Sequence, residues 1–220
     1  MKLLLLLLII VVISGCNTTN VFVDSRDGQR YKYVAIKERY WMTENMRYNI
    51  EGSRYNTNNP DTIYGRLYTW DQAMLACPEG WKLPSTYAWM SLEDFFIKKT
   101  KDIIGMKKFR GNNVKILKSR KDWSTPGTDS LKLNILPAGI ATDYGGFNQL
   151  GKGTFFWTSS PHLVNGQSLE GFADFRYIHN DSLGVYYDVH GTDNHYMSCR
   201  CVQIIPKEER KNRKCSNGNF

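Results

Sequence analysis

The chain has 220 residues, a length that suits one domain with short terminal extensions. It contains 6 Trp, 13 Tyr and 10 Phe, and this supply of large apolar side chains excludes disorder over most of the length. Although the formal net charge is +8, the basic residues form no stripe through the body of the chain, which argues against a nucleic-acid-binding protein.

The amino terminus has the pattern of an export signal. Lys2 precedes an uninterrupted apolar run from Leu3 to Ile13, which is too short to span a bilayer comfortably. The run ends in ISGC, an aliphatic residue and two small residues before Cys16, which resembles a bacterial lipobox. That resemblance implies a signal peptide over residues 1–15 and a membrane-bound lipid on Cys16. The alternative is an ordinary signal peptide with an incidental cysteine.

The mature chain is predicted to have three parts. Residues 16–23 form a lipidated terminus and leash, residues 24–205 form one domain, and residues 206–220 form a basic C-terminal tail. Five basic and two acidic side chains lie between residues 207 and 214. Such a tail contacts anionic lipid headgroups or another polymer, or it is a solvated, frayed terminus.

The elements of the domain predict an α+β fold. Residues 21–36 have the pattern of a β-hairpin. Residues 67–78 have the pattern of a short helix that stops before Pro78. Ser85 or Thr86 is predicted to cap a second helix. Later segments predict short strands over residues 133–140, 154–160, 171–178, 183–189 and 196–205. We therefore expect two short helices against irregular antiparallel sheets.

Several blocks, in order, resemble a known family. The chain is similar to the Fibrobacter succinogenes major paralogous domain over roughly residues 24–205. The blocks that carry this similarity are YKYVAIKERYWMTENM, YGRLYTWDQAMLACPEGWKLPS, LNILPAGI, FFWTSS and SCRCV. Such domains are common in lipoproteins of Fibrobacter and Bacteroidota, which implies the outer membrane of the bacterial cell envelope. The family resembles C-type lectin-like folds, including the formylglycine-generating enzyme fold, and no general activity is established for it.

Four cysteines remain in the oxidising compartment once Cys16 carries a lipid, so three pairings are open. The family resemblance implies that Cys77 pairs with Cys201. Cys199 and Cys215 depart from the family pattern. They pair with each other, or Cys199 competes for Cys77, because residues 199 and 201 lie on the same face of a strand.

Two short motifs suggest ligands that their surroundings disfavour. GFNQLGKGT (146–154) nearly matches a phosphate-binding P-loop, but Gly153 replaces Ser or Thr and a strand pattern follows, so we predict no nucleotide and no cofactor. His190, Asp193 and His195 are weak candidates to hold a divalent metal ion. Because turn-forming residues surround them, we expect a hairpin turn there and no metal.

The lectin-like resemblance raises the question of sugar binding. The chain contains neither Glu-Pro-Asn nor Gln-Pro-Asp nor Trp-Asn-Asp, so calcium-dependent sugar binding is not supported. Tyr144, Phe147 and Asn148 in the glycine-rich segment are candidates for contact with a sugar, although the rings serve equally for packing.

Three tripeptides match a short O-glycosylation pattern of Bacteroidota. They are DTI at residues 61–63, DSL at 129–131 and DSL at 181–183, with Thr62, Ser130 and Ser182 as acceptors. The alternative is coincidence, because Asp-Ser and Asp-Thr are ordinary turn pairs.

The expected function is that of an interaction domain, lipid-anchored in the envelope, that binds a polysaccharide or an envelope protein. The chain has no Gly-x-Ser-x-Gly motif, and its family-matched cysteines are expected to be structural, so catalysis is disfavoured. The alternatives are an enzyme on a formylglycine-generating-enzyme-like scaffold and a purely structural envelope component.

Overall fold

The structure is a computed structural model that describes residues 20–57, 62–97, 103–104, 108–144 and 146–216. Side chains are described in these ranges except at residues 103–104 and 212–216. No helix within the described ranges is long and apolar enough to cross a membrane.

Short strands outnumber helices. The strands are β1 (Asn20–Val23), β2 (Arg30–Ile36), β3 (Arg39–Met42), β4 (Leu67–Tyr68), β5 (Ile103–Ile104), β6 (Phe109–Arg110), β7 (Ile140–Thr142), β8 (Gly146–Asn148), β9 (Gly153–Val164), β10 (Gln167–His179), β11 (Val185–Gly191), β12 (His195–Ser198) and β13 (Val202–Ile204). The helices are α1 (Trp70–Ala76), α2 (Thr86–Glu93) and α3 (Lys207–Ser216). The fold class is α+β, as predicted.

The strands form two sheets. The first has the order β1-β2-β3-β13, so the beginning and the end of the domain pair directly, with Trp41 opposite Val202. The second has the order β5-β6-β11-β10-β9-β12-β7-β8, and β4 pairs with β12. All neighbours are antiparallel except β12 and β9, which are parallel at Ser198 and Phe156.

Both predicted helices are confirmed, and their ends follow from local chemistry. At the start of α1, the Thr69 side chain accepts from the Gln72 amide while the Gln72 side chain accepts from the Thr69 amide, a reciprocal capping box. The helix ends at Cys77, whose extended backbone is what a following proline favours. The Ser85 hydroxyl accepts from the Ala88 amide and caps α2.

The hairpin predicted over residues 21–36 is confirmed, since β1 pairs antiparallel with β2. Its first strand includes residues 20–23, which the predicted leash also covers, and Phe22 packs edge-on against Trp81 with ring centroids 5.6 Å apart. The basic tail is helical over Lys207–Ser216 rather than frayed. Acidic residues in its first turn complement the helix dipole, and the Tyr40 hydroxyl donates to Glu209.

Two predicted strands are also interrupted. The segment 196–205 divides into β12 and β13 because Arg200, between them, turns into the interior and donates to the Asn45 side-chain oxygen at 2.7 and 3.0 Å. The segment 133–140 makes only isolated bridges before β7 begins at Ile140. Asn134 there has a φ of +50°, and Pro137 lacks an amide donor.

The predicted disulfide between Cys77 and Cys201 is present and joins residues 124 apart. Closing a loop of that length is worth roughly 4–5 kcal/mol in the chain-entropy model. Next to it, Trp81 is buried against Phe22 and Tyr33. This junction therefore fixes the end of α1 against the last strands.

The core beneath α2 contains a stack of large rings and an ionic cluster. Trp89 lies between Trp41 and Phe156, with ring centroids 5.2 and 5.3 Å away. Glu93, at the end of α2, is fully buried. Its carboxylate accepts from Arg110 at 2.6 Å and from Arg176 at 2.8 Å, which joins α2 to β6 and β10.

We predict that Glu93→Gln lowers the free energy of unfolding by about 3–5 kcal/mol, because two buried guanidinium groups then lose their shared counter-charge. Urea denaturation measures the change. The matched control is Asp94→Asn, one residue along, whose side chain is 54% exposed and whose change should stay within about 1 kcal/mol. Equal losses in the two variants would contradict a special role for the buried carboxylate.

Candidate functional site

A cleft of about 650 Å³ lies between α2 and the strands β9, β10 and β11. We call it the α2 cleft. Its polar lining comes from Thr86, Ser160, His162, Asp174, Lys108 and Asp188. Its apolar lining comes from Tyr87, Met90, Pro161, Leu163, Tyr187 and Val189. A cleft with mostly apolar walls and a few convergent polar groups is the usual form of a ligand site.

The first turn of α2 is held against the sheet by its backbone. The Thr86 amide donates to the Ser160 hydroxyl at 3.0 Å, and the Thr86 carbonyl accepts from the Arg176 guanidinium at 3.4 Å. The first amides of a helix have no intrahelical acceptor, so Ser160 satisfies one that would otherwise need water. The edge of the cleft is thus tied to β9 and β10.

Asp174 is the polar centre of one end of the α2 cleft. Its carboxylate accepts from the Thr86 hydroxyl at 2.8 Å and lies 3.2 Å from Nδ1 of His162. The Thr158 hydroxyl donates to the Asp174 carbonyl at 3.0 Å and fixes the backbone there. The site therefore offers both donors and acceptors within one small area.

An imidazole beside a carboxylate is also the arrangement of a general base. Ser160 is the neighbouring hydroxyl, but its oxygen accepts from the Thr86 amide and makes no hydrogen bond to His162. A nucleophile activated by that imidazole is therefore not assembled among these residues.

Asp188 organises the other end of the α2 cleft. It pairs with Lys108 and accepts from the Tyr186 hydroxyl at 2.6 Å and from the Val189 amide at 3.0 Å. Burial raises the pKa of Asp188, but these bonds outweigh it and hold the pKa below the usual value. The bond to Asp188, together with burial, raises the pKa of Tyr186 to about 12.

Two tyrosines give the α2 cleft its aromatic walls. Tyr87 is 68% exposed and has the Arg39 guanidinium 5.7 Å from its ring centroid. The Tyr187 ring has the Arg176 guanidinium 5.5 Å from its centroid. Each ring is thus in reach of one cation, which restricts its orientation and leaves ring surface for a ligand.

The predicted ligand residues do not share one surface. Tyr144, 89% exposed, lies between β7 and β8, while Phe147 packs against the buried cluster that contains Ala141. Asn148 pairs with Ile140 and Phe147 with Ala141, so the two side chains point to opposite faces of β8. Phe147 therefore has the packing role that was the alternative for these rings, and ligand contact at Tyr144 stays a prediction.

Of the weak metal candidates, the structure brings His190 and His195 together, but Asp193 does not join them closely enough to complete a three-ligand cluster. The rings of His190 and His195 stack with centroids 4.1 Å apart, and Asp193 is exposed. Burial, and then the charge of His195, lower the pKa of His190. Within the described part of the chain, the ligand atoms of three His, Cys, Asp or Glu side chains lie within 4.8 Å of one another only at Cys77, Cys199 and Cys201.

The predicted hairpin turn at residues 190–195 is wrong. Strands β11 and β12 are not neighbours, because β10 and β9 lie between them in the sheet. The Thr192 amide donates to the Gly171 carbonyl, and the Thr192 carbonyl accepts from Trp70. The segment is therefore a crossing connection. By contrast, the strand predicted after the P-loop-like segment is confirmed, since β9 begins at Gly153.

The candidate acceptor hydroxyls differ in accessibility. Thr62 is exposed in a 3₁₀ turn, and Ser130 is exposed and lies 2.9 Å from the Thr128 hydroxyl. The Ser182 hydroxyl is half-buried and donates to the His179 carbonyl at 3.0 Å. Glycosylation at the three positions stays a prediction.

Two predicted cysteine roles fall outside the described side chains. Cys16 lies before the described residues, and the side chain of Cys215 is not described. Cys199 is a free, buried cysteine. Its pairing with Cys215 stays a prediction, as does lipidation of Cys16.

The elements above define a class of protein: an α+β domain whose two ends pair in one sheet, closed by a disulfide, with a cleft between α2 and the second sheet. A family model described as the Fibrobacter succinogenes major domain matches residues 34–203. The chain belongs to this family. A search of curated proteins and a search of solved structures gave no match.

We predict that Asp188→Asn lowers the pKa of Tyr186 from about 12 toward the ordinary value of 10.0, because the carboxylate no longer favours the protonated phenol. Ultraviolet titration of tyrosinate in the folded protein measures the shift. Because folding raises this pKa, the stability due to the bond is complete below pH 10.0 and is lost as the pH rises toward 12.

The control for this titration is Tyr186→Phe. Burial also raises the pKa of Tyr31 to about 12, so Tyr186→Phe should reduce the amplitude of the late transition by that of one tyrosine and not remove it. An unchanged late amplitude in Tyr186→Phe, or in Asp188→Asn, would contradict the assignment.

Proposed function

We propose that this protein is a lipid-anchored component of the bacterial outer membrane whose domain binds a ligand through the α2 cleft without catalysis. The observation that carries the proposal is the convergence of Thr86, His162 and Asp174 beside the aromatic wall of Tyr87. Groups held in this way bind a ligand without losing much side-chain freedom, which favours affinity.

The ligand class that suits the α2 cleft best is a segment of polysaccharide. Sugar rings carry apolar C–H faces and polar hydroxyl edges. The tyrosine rings of the cleft offer surface for the apolar faces of the sugar rings. The protein's hydroxyls, its carboxylates and Lys108 offer hydrogen-bond partners for the sugar hydroxyls. An envelope protein is the second ligand class, since exposed apolar groups such as Leu163 also line the cleft.

A C-type lectin-like arrangement is part of this proposal. The pairing of β3 with β13, the disulfide from α1 to the last strands and the helices beside irregular sheets are its support. Such a scaffold holds its chain ends together and leaves its loops and clefts to carry function.

An enzyme on a formylglycine-generating-enzyme-like scaffold is the alternative, and the pair of His162 with Asp174 favours it. Against it, Cys77 and Cys201 are joined in a disulfide and so are not present as a pair of free thiols. The third reading, a purely structural envelope component, requires no occupant of the cleft.

We predict that Tyr87→Ala weakens binding to purified envelope polysaccharides of the host about tenfold, because a ring worth about 1.5 kcal/mol of contact is lost. Calorimetric titration with the protein measures the affinity. Tyr144→Ala is the matched control, since it removes another highly exposed tyrosine outside the α2 cleft. Weaker binding only in Tyr144→Ala would contradict the cleft, and release of cleaved sugar would favour the enzyme.

The anchor is tested separately. Metabolic labelling with a fatty-acid probe should mark the wild type and fail to mark Cys16→Ala, because the thiol that carries the lipid is absent. Cys215→Ala is the control and should label like the wild type. Equal labelling of wild type and Cys16→Ala would contradict lipidation at this position.

A further inference from the structure

A third sulfur lies beside the disulfide. The Cys199 Sγ atom is 3.8 Å from the Cys77 Sγ atom, and all three sulfurs of Cys77, Cys199 and Cys201 lie within 4.8 Å of one another. Cys199 and Cys201 are fully buried, whereas Cys77 is half-buried. Cys77 is therefore the member of the disulfide that a molecule from solvent reaches first.

The backbone places Cys199 and Cys201 as alternative partners for Cys77. They lie on either side of Arg200, in the break between β12 and β13, and Arg200 donates to Asn45 and to the Leu133 carbonyl. With that side chain held elsewhere, both neighbouring sulfurs approach the end of α1. Cys199 Sγ also lies 3.7 Å from the Ala73 carbonyl of α1.

We propose that Cys77, Cys199 and Cys201 form a thiol–disulfide exchange site in which Cys199 replaces Cys201 as the partner of Cys77. The Cys199 thiolate attacks the Cys77 sulfur, the Cys77–Cys201 bond breaks as the Cys77–Cys199 bond forms, and the electron pair leaves on the Cys201 sulfur. The proton lost by Cys199 ends on Cys201. The reaction needs no external oxidant or reductant.

The same site can re-form a disulfide after a small thiol from the surrounding medium has attacked Cys77. Such a thiolate attacks Cys77, releases Cys201 and leaves a mixed disulfide on Cys77. Cys199 then displaces the small thiolate and closes the Cys77–Cys199 bond. The link between α1 and the last strands is thereby restored without Cys201 having to return.

The geometry makes the exchange slow rather than immediate. Because the Cys199 sulfur is within 4.8 Å of both others, it lies beside the existing bond and not in line with it, so its side chain has to rotate before attack. Burial also raises the pKa of the Cys199 thiol, so thiolate is scarce at neutral pH. The rate should rise about tenfold for each unit of pH up to that pKa.

The test uses Cys201→Ser in the full chain, treated with oxidised glutathione as the two-electron acceptor, and disulfides are located by peptide mapping under non-reducing, acid-quenched conditions. We expect the variant to contain a Cys77–Cys199 cross-link in most molecules and to keep its near-ultraviolet circular dichroism. Cys199→Ser is the matched control and should retain Cys77–Cys201. A folded Cys201→Ser protein in which Cys77 and Cys199 are both free thiols would overturn the proposal.

If Cys201→Ser does not fold, the proposal is tested with the wild-type protein. The native protein is incubated with reduced glutathione at neutral and at alkaline pH, quenched and mapped. Appearance of Cys77–Cys199, about tenfold faster for each unit of pH, supports the exchange site. Recovery of Cys77–Cys201 alone at every time point, after the glutathione has demonstrably reacted at Cys77, would overturn it.

Discussion

The buried carboxylate of Glu93 holds the two sides of the α2 cleft at a fixed distance. It belongs to α2, while its partners Arg110 and Arg176 belong to β6 and β10. A buried ion is tolerated only while its hydrogen-bond partners stay in place, so α2 cannot lift or rotate without a large cost. The spacing between Tyr87 on the helix and Asp174 on the sheet follows from that constraint.

The same constraint explains why the α2 cleft is rigid on its sheet side. Arg176 donates to the Glu93 carboxylate and to the Thr86 carbonyl, so one side chain ties both ends of α2 to β10. Thr86 in turn orients the Asp174 carboxylate. The arrangement is hierarchical: ionic contacts in the core set the helix, and the helix sets the hydrogen bonds that a ligand meets.

Features with local causes were predictable from the sequence. The two helices follow from capping residues and from Pro78, and the Cys77–Cys201 disulfide followed from the resemblance to a family that residues 34–203 match. These signals are readable because each depends on neighbours in the chain or on a specific motif.

The α2 cleft was not predictable, because its side chains come from separate elements. Lys108 precedes β6, His162 lies in β9, Asp174 in β10 and Asp188 in β11. The pairing of β9 with β10 is irregular on both sides of Ala173, so the face on which Asp174 lies does not follow from counting residues. The faces of the glycine-rich segment were equally hard to predict, since the pairing of β7 with β8 places Phe147 and Asn148 on opposite sides.

The position of the first strand limits how far the folded domain can lie from a membrane to which it is anchored. β1 begins at Asn20, so if Cys16 carries the proposed lipid, its tether to the folded domain reaches at most about 14 Å. A domain on so short a tether rests near the headgroups and samples few orientations. Partners in the same membrane meet it at a high effective concentration, whereas a polymer from another layer has to approach the bilayer surface.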